Sequence, residues 1–194
     1  MIVTIHQPLH FPYLGFFQKM KVADVFVIFD DVKFCKNEFH NRNKFKNREG
    51  KDEWFTVPVE KKANSKLVKD VVVAEDFGWK KKLIKQMKYN FNEDFSDFYN
   101  HKRMMDINMD AINWCRKKLN INNKMIFSSD LNVDGYKTEK VANICKEVGA
   151  KEYVAGPFGK KYLNESLFGD IKVTHFEPKV NDHYSILAHL DKEL

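Results

Sequence analysis

The sequence predicts an α/β fold: a mostly parallel, Rossmann-like sheet flanked by helices, with an inserted β-hairpin and a helical middle segment. Three observations predict it. Short apolar runs rich in Val, Ile and Phe open the chain and return in its last third, as strands buried on both faces do. Helix-periodic stretches separate those runs, and strand–helix–strand order implies right-handed βαβ units. No repeat, low-complexity tract or Pro/Gly/Ser-rich linker interrupts the 194 residues, which fit one domain over 1–194.

In chain order, residues 2–6 read as a strand, about 14–22 as a helix and 24–30 (DVFVIFD) as a second strand. Strand-like pieces at about 40–46 and 53–59 flank the turn-forming NREGKD and predict a hairpin over about 40–59. From about 76 to 119 the texture is helical: Trp79, Leu83, Ile84 and Met87 share one face, as do Met105, Met109, Ile112 and Leu119. These stripes suit core packing. The last third alternates again, with strands at MIFSSDL, EYVAG and IKVTHF and helices at TEKVANICKEVGA and around KYLNESLF. In such sheets ligands bind beyond the carboxyl ends of the strands, which makes the strand exits the candidate site.

Bulk properties narrow the class. Hydrophobic residues make up 43% and charged residues 31%, an ordinary globular balance that excludes a disordered or fibrous chain. No apolar run approaches the ~18 residues a membrane helix needs, and no cleavable leader is evident, so a cytoplasmic location without membrane insertion is expected. Cys35, Cys115 and Cys145 are scattered and odd in number, which fits reduced thiols better than a disulfide framework or a zinc site. The net charge of +6 suits an anionic partner as well as a solvated lysine surface.

His6-Gln7-Pro8 follows the first strand directly. A histidine at a strand exit can take or give a proton near neutral pH, and Gln7 offers a donor and an acceptor for orienting a ligand. His6 and His10 are four apart, but Pro8 and Pro12 break any helix through them, and no metal is expected. Asp30 and Asp31 leave the second strand together and should point to opposite faces. Beyond them Lys36, Asn41, Arg42 and Asn43 gather; a planar guanidinium between two amides suits phosphate or carboxylate. Ser129 and Asp130 in SSDL, and Gly156 in AGPFGKKYL, are further strand-exit candidates. The GPFGKK run has neither the phosphate-loop nor the dinucleotide spacing.

The block HQPLHFPYLGFFQKMKVADVFVIFDDVKFCKNEFHNRNKFK resembles the opening of the WbqC-like family, whose pattern is roughly HQPxxxPxxGYFxKxxxADVFVxLDDVQFxKxxxxNRNxIK. WFTVPV, SSDL, AGPFGKKYL and SILAHL follow in that family's order, so the resemblance covers nearly the whole chain. It departs at His10, where an aromatic residue is common, and at Ala188, where an acidic residue is usual. The resemblance implies a role in bacterial surface polysaccharide (O-antigen) synthesis: transfer of an acyl or aminoacyl group, glycyl included, to the amine of a nucleotide-linked amino sugar. On that reading His6 is the base and Asp31 polarises it or holds the amine. Gln7, Lys36, Asn41, Arg42, Asn43, Ser129, Asp130 and Gly156 bind substrate. The donor stays open among a coenzyme A thioester, a carrier-protein thioester, an aminoacyl-tRNA and an adenylate made on the enzyme. The rival expectations are a non-catalytic module for a sugar nucleotide or nucleic acid, and a nucleotidyltransferase-like enzyme.

Overall fold

Val, Ile and Phe concentrate in two runs near the N-terminus, and these become β1 (Ile2–His6) and β2 (Val25–Ile28), joined by α1 (Leu14–Lys21). Then follow β3 (Arg42–Lys46), β4 (Asp52–Thr56), α2 (Trp79–Phe91) and α3 (Met104–Lys118). The last third supplies β5 (Lys124–Phe127), α4 (Thr138–Glu147), β6 (Glu152–Ala155) and β7 (Lys172–His175). The structure, a computed structural model, describes residues 1–179 and 182–190.

The chain divides into two units: one of residues 1–7, 15–29 and 121–179, the other of residues 8–14, 30–120 and 182–190. The first unit holds a five-stranded parallel sheet of order β5–β2–β1–β6–β7. Alternation along the strands sorts the side chains. Val3, Ile5, Val25, Val27, Tyr153 and Ala155 pack with Val141, Ala142, Ile144 and Cys145 of α4. The opposite phase presents Thr4 and Phe26, and Phe26 meets Phe16 of α1 at a ring separation of 5.1 Å. Both faces are covered, which is why these strands read as continuous apolar runs.

In the second unit β3 and β4 pair antiparallel, from Arg42↔Thr56 to Lys46↔Asp52. Asn47 closes the turn by accepting from the Glu49 and Lys51 amides, and Gly50 takes the positive φ of 77°. The core here is aromatic. Phe11 lies 4.8 Å from Phe95 and 5.9 Å from Phe55 in edge-on contacts, and Phe45 packs on Phe91 at 4.8 Å.

Three expectations change in detail. The helical stretch over 76–119 is two helices, because Asn92 at φ 54° terminates α2 in a left-handed cap and its amide returns to the Lys88 carbonyl. The strand at 53–59 ends at Thr56, since Pro58 has no amide to continue the ladder. Around KYLNESLF only a short 3₁₀ turn forms, Glu165–Phe168, capped by the Asn164 side chain.

Asn43 sets a stability expectation. It is fully buried; its amide donates to the His10 and Phe11 carbonyls at 3.3 and 2.8 Å, and its oxygen accepts from the Lys44 amide at 2.8 Å. These bonds hold Phe11 at φ 43°, an unfavourable value for a bulky residue. Asn43→Ala should lower unfolding free energy by about 2–4 kcal/mol, read from urea denaturation, because buried carbonyls and an amide lose their partners.

Candidate functional site

The sheet order places a topological switch point between β1 and β6. From β1 the chain runs outward on one side through β2 to β5, then crosses back to β6 on the other side. The ladders on either side of the switch point, β1–β2 and β6–β7, run to the strand ends: the Phe29 amide donates to the His6 carbonyl, and the Phe176 amide donates to the Ala155 carbonyl. The ladder between β1 and β6 does not. It pairs Ile2 with Glu152 and Val3 with Tyr153, then stops. Beyond that point side chains take over the carbonyls. The Thr4 hydroxyl donates to Val154 at 2.7 Å, and the Lys19 ammonium donates to Ile5 at 3.0 Å. The strands thus part toward their carboxyl ends, where ligands of open α/β sheets bind.

His6 closes β1 on the face covered by α1, edge-on to Phe16 at 4.8 Å. Its Nδ1 lies 2.9 Å from the Gln7 carbonyl. A carbonyl only accepts, so Nδ1 carries the proton and the lone pair of the neutral ring resides on Nε2. That is the tautomer a general base at Nε2 requires. Gly156 follows β6 immediately. The nearest atom to a side chain built there would be Lys19 Nζ, at 4.0 Å.

Lys19 is the residue sequence reasoning missed. A lysine in the last turn of a helix reads as a solvated cation complementing the dipole. Here it is 2% exposed, and burial brings its pKa from 10.5 down to about 7. The available signal was its fixed place, four residues after Gly15, in the family pattern.

The remaining strand-exit residues lie further out in the same unit. Ser129 and Asp130 belong to a 3₁₀ turn, Ser128–Asp130, directly after β5. Two strand spacings, about 10 Å, separate that edge from β1. Asp130 is exposed, and the neighbouring Ser128 is buried.

The other predicted residues belong to the second unit. Asp30 is buried, its backbone carbonyl accepting from the Lys69 amide, while Asp31 is half-buried. Asn41 is buried and bonded to backbone: its amide donates to Val57 at 2.9 Å and its oxygen accepts from Asn37. With Asn43 likewise bonded to backbone, the two asparagines clamp the hairpin on either side of Arg42. The guanidinium stacks 4.3 Å above the Trp54 ring, with its Nε buried and unbonded. Lys36 is exposed and its backbone amide donates to Asn64.

His10 is fully buried among Phe11, Phe55 and Tyr99, and burial lowers its pKa to about 3. His40 accepts the Cys35 backbone amide on Nδ1, and its pKa falls to about 4 for the same reason.

The sequence matches the WbqC-like protein family over residues 7–189. The chain belongs to the WbqC-like protein family. It is also 29% identical over 191 residues to the uncharacterized protein Rv1507c of Mycobacterium tuberculosis, covering 90% of this chain and 81% of that one. No solved structure matches. The family match includes Gln7, Lys19, the hairpin and Gly156, and β1, Ile2–His6, lies just before its first residue. No helix is long and apolar enough to cross a membrane among the described residues.

Proposed function

We propose that this WbqC-like protein transfers an acyl or aminoacyl group to the amine of a nucleotide-linked amino sugar in surface polysaccharide synthesis. The observation that supports this reading is a histidine with its lone pair on Nε2 at the exit of the strand flanking the switch point. The amine must lose a proton to become nucleophilic, and His6 accepts it. The amine nitrogen then attacks the carbonyl carbon of a thioester, ester or adenylate donor. The carbon–nitrogen bond forms, the carbon–sulfur or carbon–oxygen bond breaks, His6 returns its proton to the leaving group, and the second proton on the new amide nitrogen is released to solvent. Gln7 and Gly156 orient the sugar, and Ser129 and Asp130 serve the far end of an extended substrate.

Arg42 and Lys36 take the diphosphate, and Asn41 and Asn43 fix the hairpin that carries Arg42. The donor is a coenzyme A thioester, a carrier-protein thioester, an aminoacyl-tRNA or an adenylate made on the enzyme. A thermal-shift screen of nucleotide-linked amino sugars against these donors tests the assignment, because a ligand specific for the native state raises its melting temperature. Arg42→Ala should raise KM for the sugar nucleotide about tenfold or more with little change in kcat, and an unchanged KM removes Arg42 from the diphosphate.

A second reading, a non-catalytic module for an anionic partner, is favoured by one groove in the second unit. Its volume is about 390 Å³, and Lys82, Lys85 and Arg48 line it beside Glu49 and Glu53, with Arg48 stacking on Tyr89 at 4.8 Å. Binding that saturates without turnover and weakens steeply with salt would favour it.

A further inference from the structure

Lys19 has a donor surplus. Its ammonium carries three N–H groups, and among the described residues the Ile5 carbonyl is its one hydrogen-bond acceptor. No carboxylate pairs with it among the described residues, although the side chain is almost wholly buried. A buried cation without a counter-ion is costly unless something else neutralises it. Its position bears on what that is. The ammonium lies at the β1 end of the gap where the β1–β6 ladder has stopped, with Gly156 across from it presenting no side chain. Of the two carbonyls at this gap, the Val154 oxygen is met by Thr4 and the Ile5 oxygen by Lys19. The scaffold needs no further bond from Lys19.

We propose that the parted ends of β1 and β6 form an anion-binding site in which Lys19 receives an anionic oxygen, of a phosphate or a carboxylate, through the two donors that Ile5 leaves unused. The missing counter-ion is supplied by the ligand. Gly156 leaves room for it, and the α1 scaffold holds the ammonium in place before the ligand arrives, so little is lost in ordering the side chain. The site does not depend on the transferase reading: a non-catalytic protein could use it equally. Because the free ammonium is half-titrated near neutral pH, anion binding should draw a proton onto it.

The test is a lysine side-chain NMR titration of the intact protein, with inorganic pyrophosphate in one arm and acetate in the other. Lys19 should titrate near pH 7 alone, and saturating anion should raise that midpoint by about one unit or more. A response to pyrophosphate alone identifies phosphate as the ligand group, and a response to acetate alone identifies carboxylate. Lys19→Met should weaken binding about tenfold or more while its melting temperature stays equal or rises, since Met fills the space without a buried charge. A midpoint that neither anion moves overturns the site, as does undiminished anion binding by a folded Lys19→Met protein. Should that variant fail to fold, the wild-type titration decides alone. Failure here leaves the His6 base standing, because that rests on turnover.

Discussion

His6→Asn lowers turnover by about two to four orders of magnitude while KM for the sugar nucleotide changes little. The substitution is chosen for what it keeps. An asparagine amide at that position can still donate to the Gln7 carbonyl that His6 Nδ1 meets at 2.9 Å, so the end of β1 retains its local bond. What disappears is the Nε2 lone pair. Without it the attacking amine must be deprotonated by solvent before it reaches the donor, and the rate then follows the fraction of free amine in solution. The pH profile separates this from a folding effect. Wild-type kcat/KM should fall at acid pH as a basic group of the enzyme is protonated, and in the variant the acid limb should follow the substrate amine instead. Equal turnover in wild type and variant removes His6 as base.

The second large effect is acid sensitivity. His10 and His40 are buried and neutral, with pKa values near 3 and 4 against 6.5 in the unfolded chain. Groups whose pKa is lowered on folding bind more protons in the unfolded state, so stability is whole above pH 6.5 and drains away as pH falls toward 3–4. Two such groups give a limiting slope of about 2.7 kcal/mol per pH unit. Lys19 acts in an alkaline window: its pKa falls from 10.5 to about 7, so stability rises with pH between those values. His10→Phe isolates one contribution. Phenylalanine keeps the edge-on contacts to Phe11, Phe55 and Tyr99 and removes both ring nitrogens, of which Nε2 lies 3.4 Å from the Tyr99 hydroxyl. Calorimetric melts between about pH 7 and 4.5 should show a shallower decline for His10→Phe, roughly half as steep. An identical slope in the two proteins would mean that His10 is not buried neutral.

What was legible in the sequence follows the range of the interactions concerned. β1 and β2 could be read because strands covered on both faces declare themselves by unbroken apolar runs such as VFVIF. The hairpin could be read from its turn residues, which act locally. His6 stood out because its place at the exit of a predicted strand is also local. Lys19 did not, since its burial depends on β6 returning beside β1 well over a hundred residues later. The gap beside it is equally silent: nothing in IVTIH or EYVA says that their ladder ends after Val3 and Tyr153. Asn41 and Asn43 read as ligand amides because unpartnered asparagines beside an arginine look like a polar pocket. Their acceptors, Val57 and Phe11, are 16 and 32 residues away, and no spacing rule announces such bonds. The helix boundary at Asn92 could have been anticipated from its tolerance of left-handed backbone.

Backbone amide shift mapping during titration with inorganic pyrophosphate bears most directly on the parted strand ends as the ligand site. The largest perturbations should fall on His6, Gln7, Lys19 and Gly156. Perturbations confined to Arg48, Lys82 and Tyr89, with those four residues unmoved, would contradict the assignment.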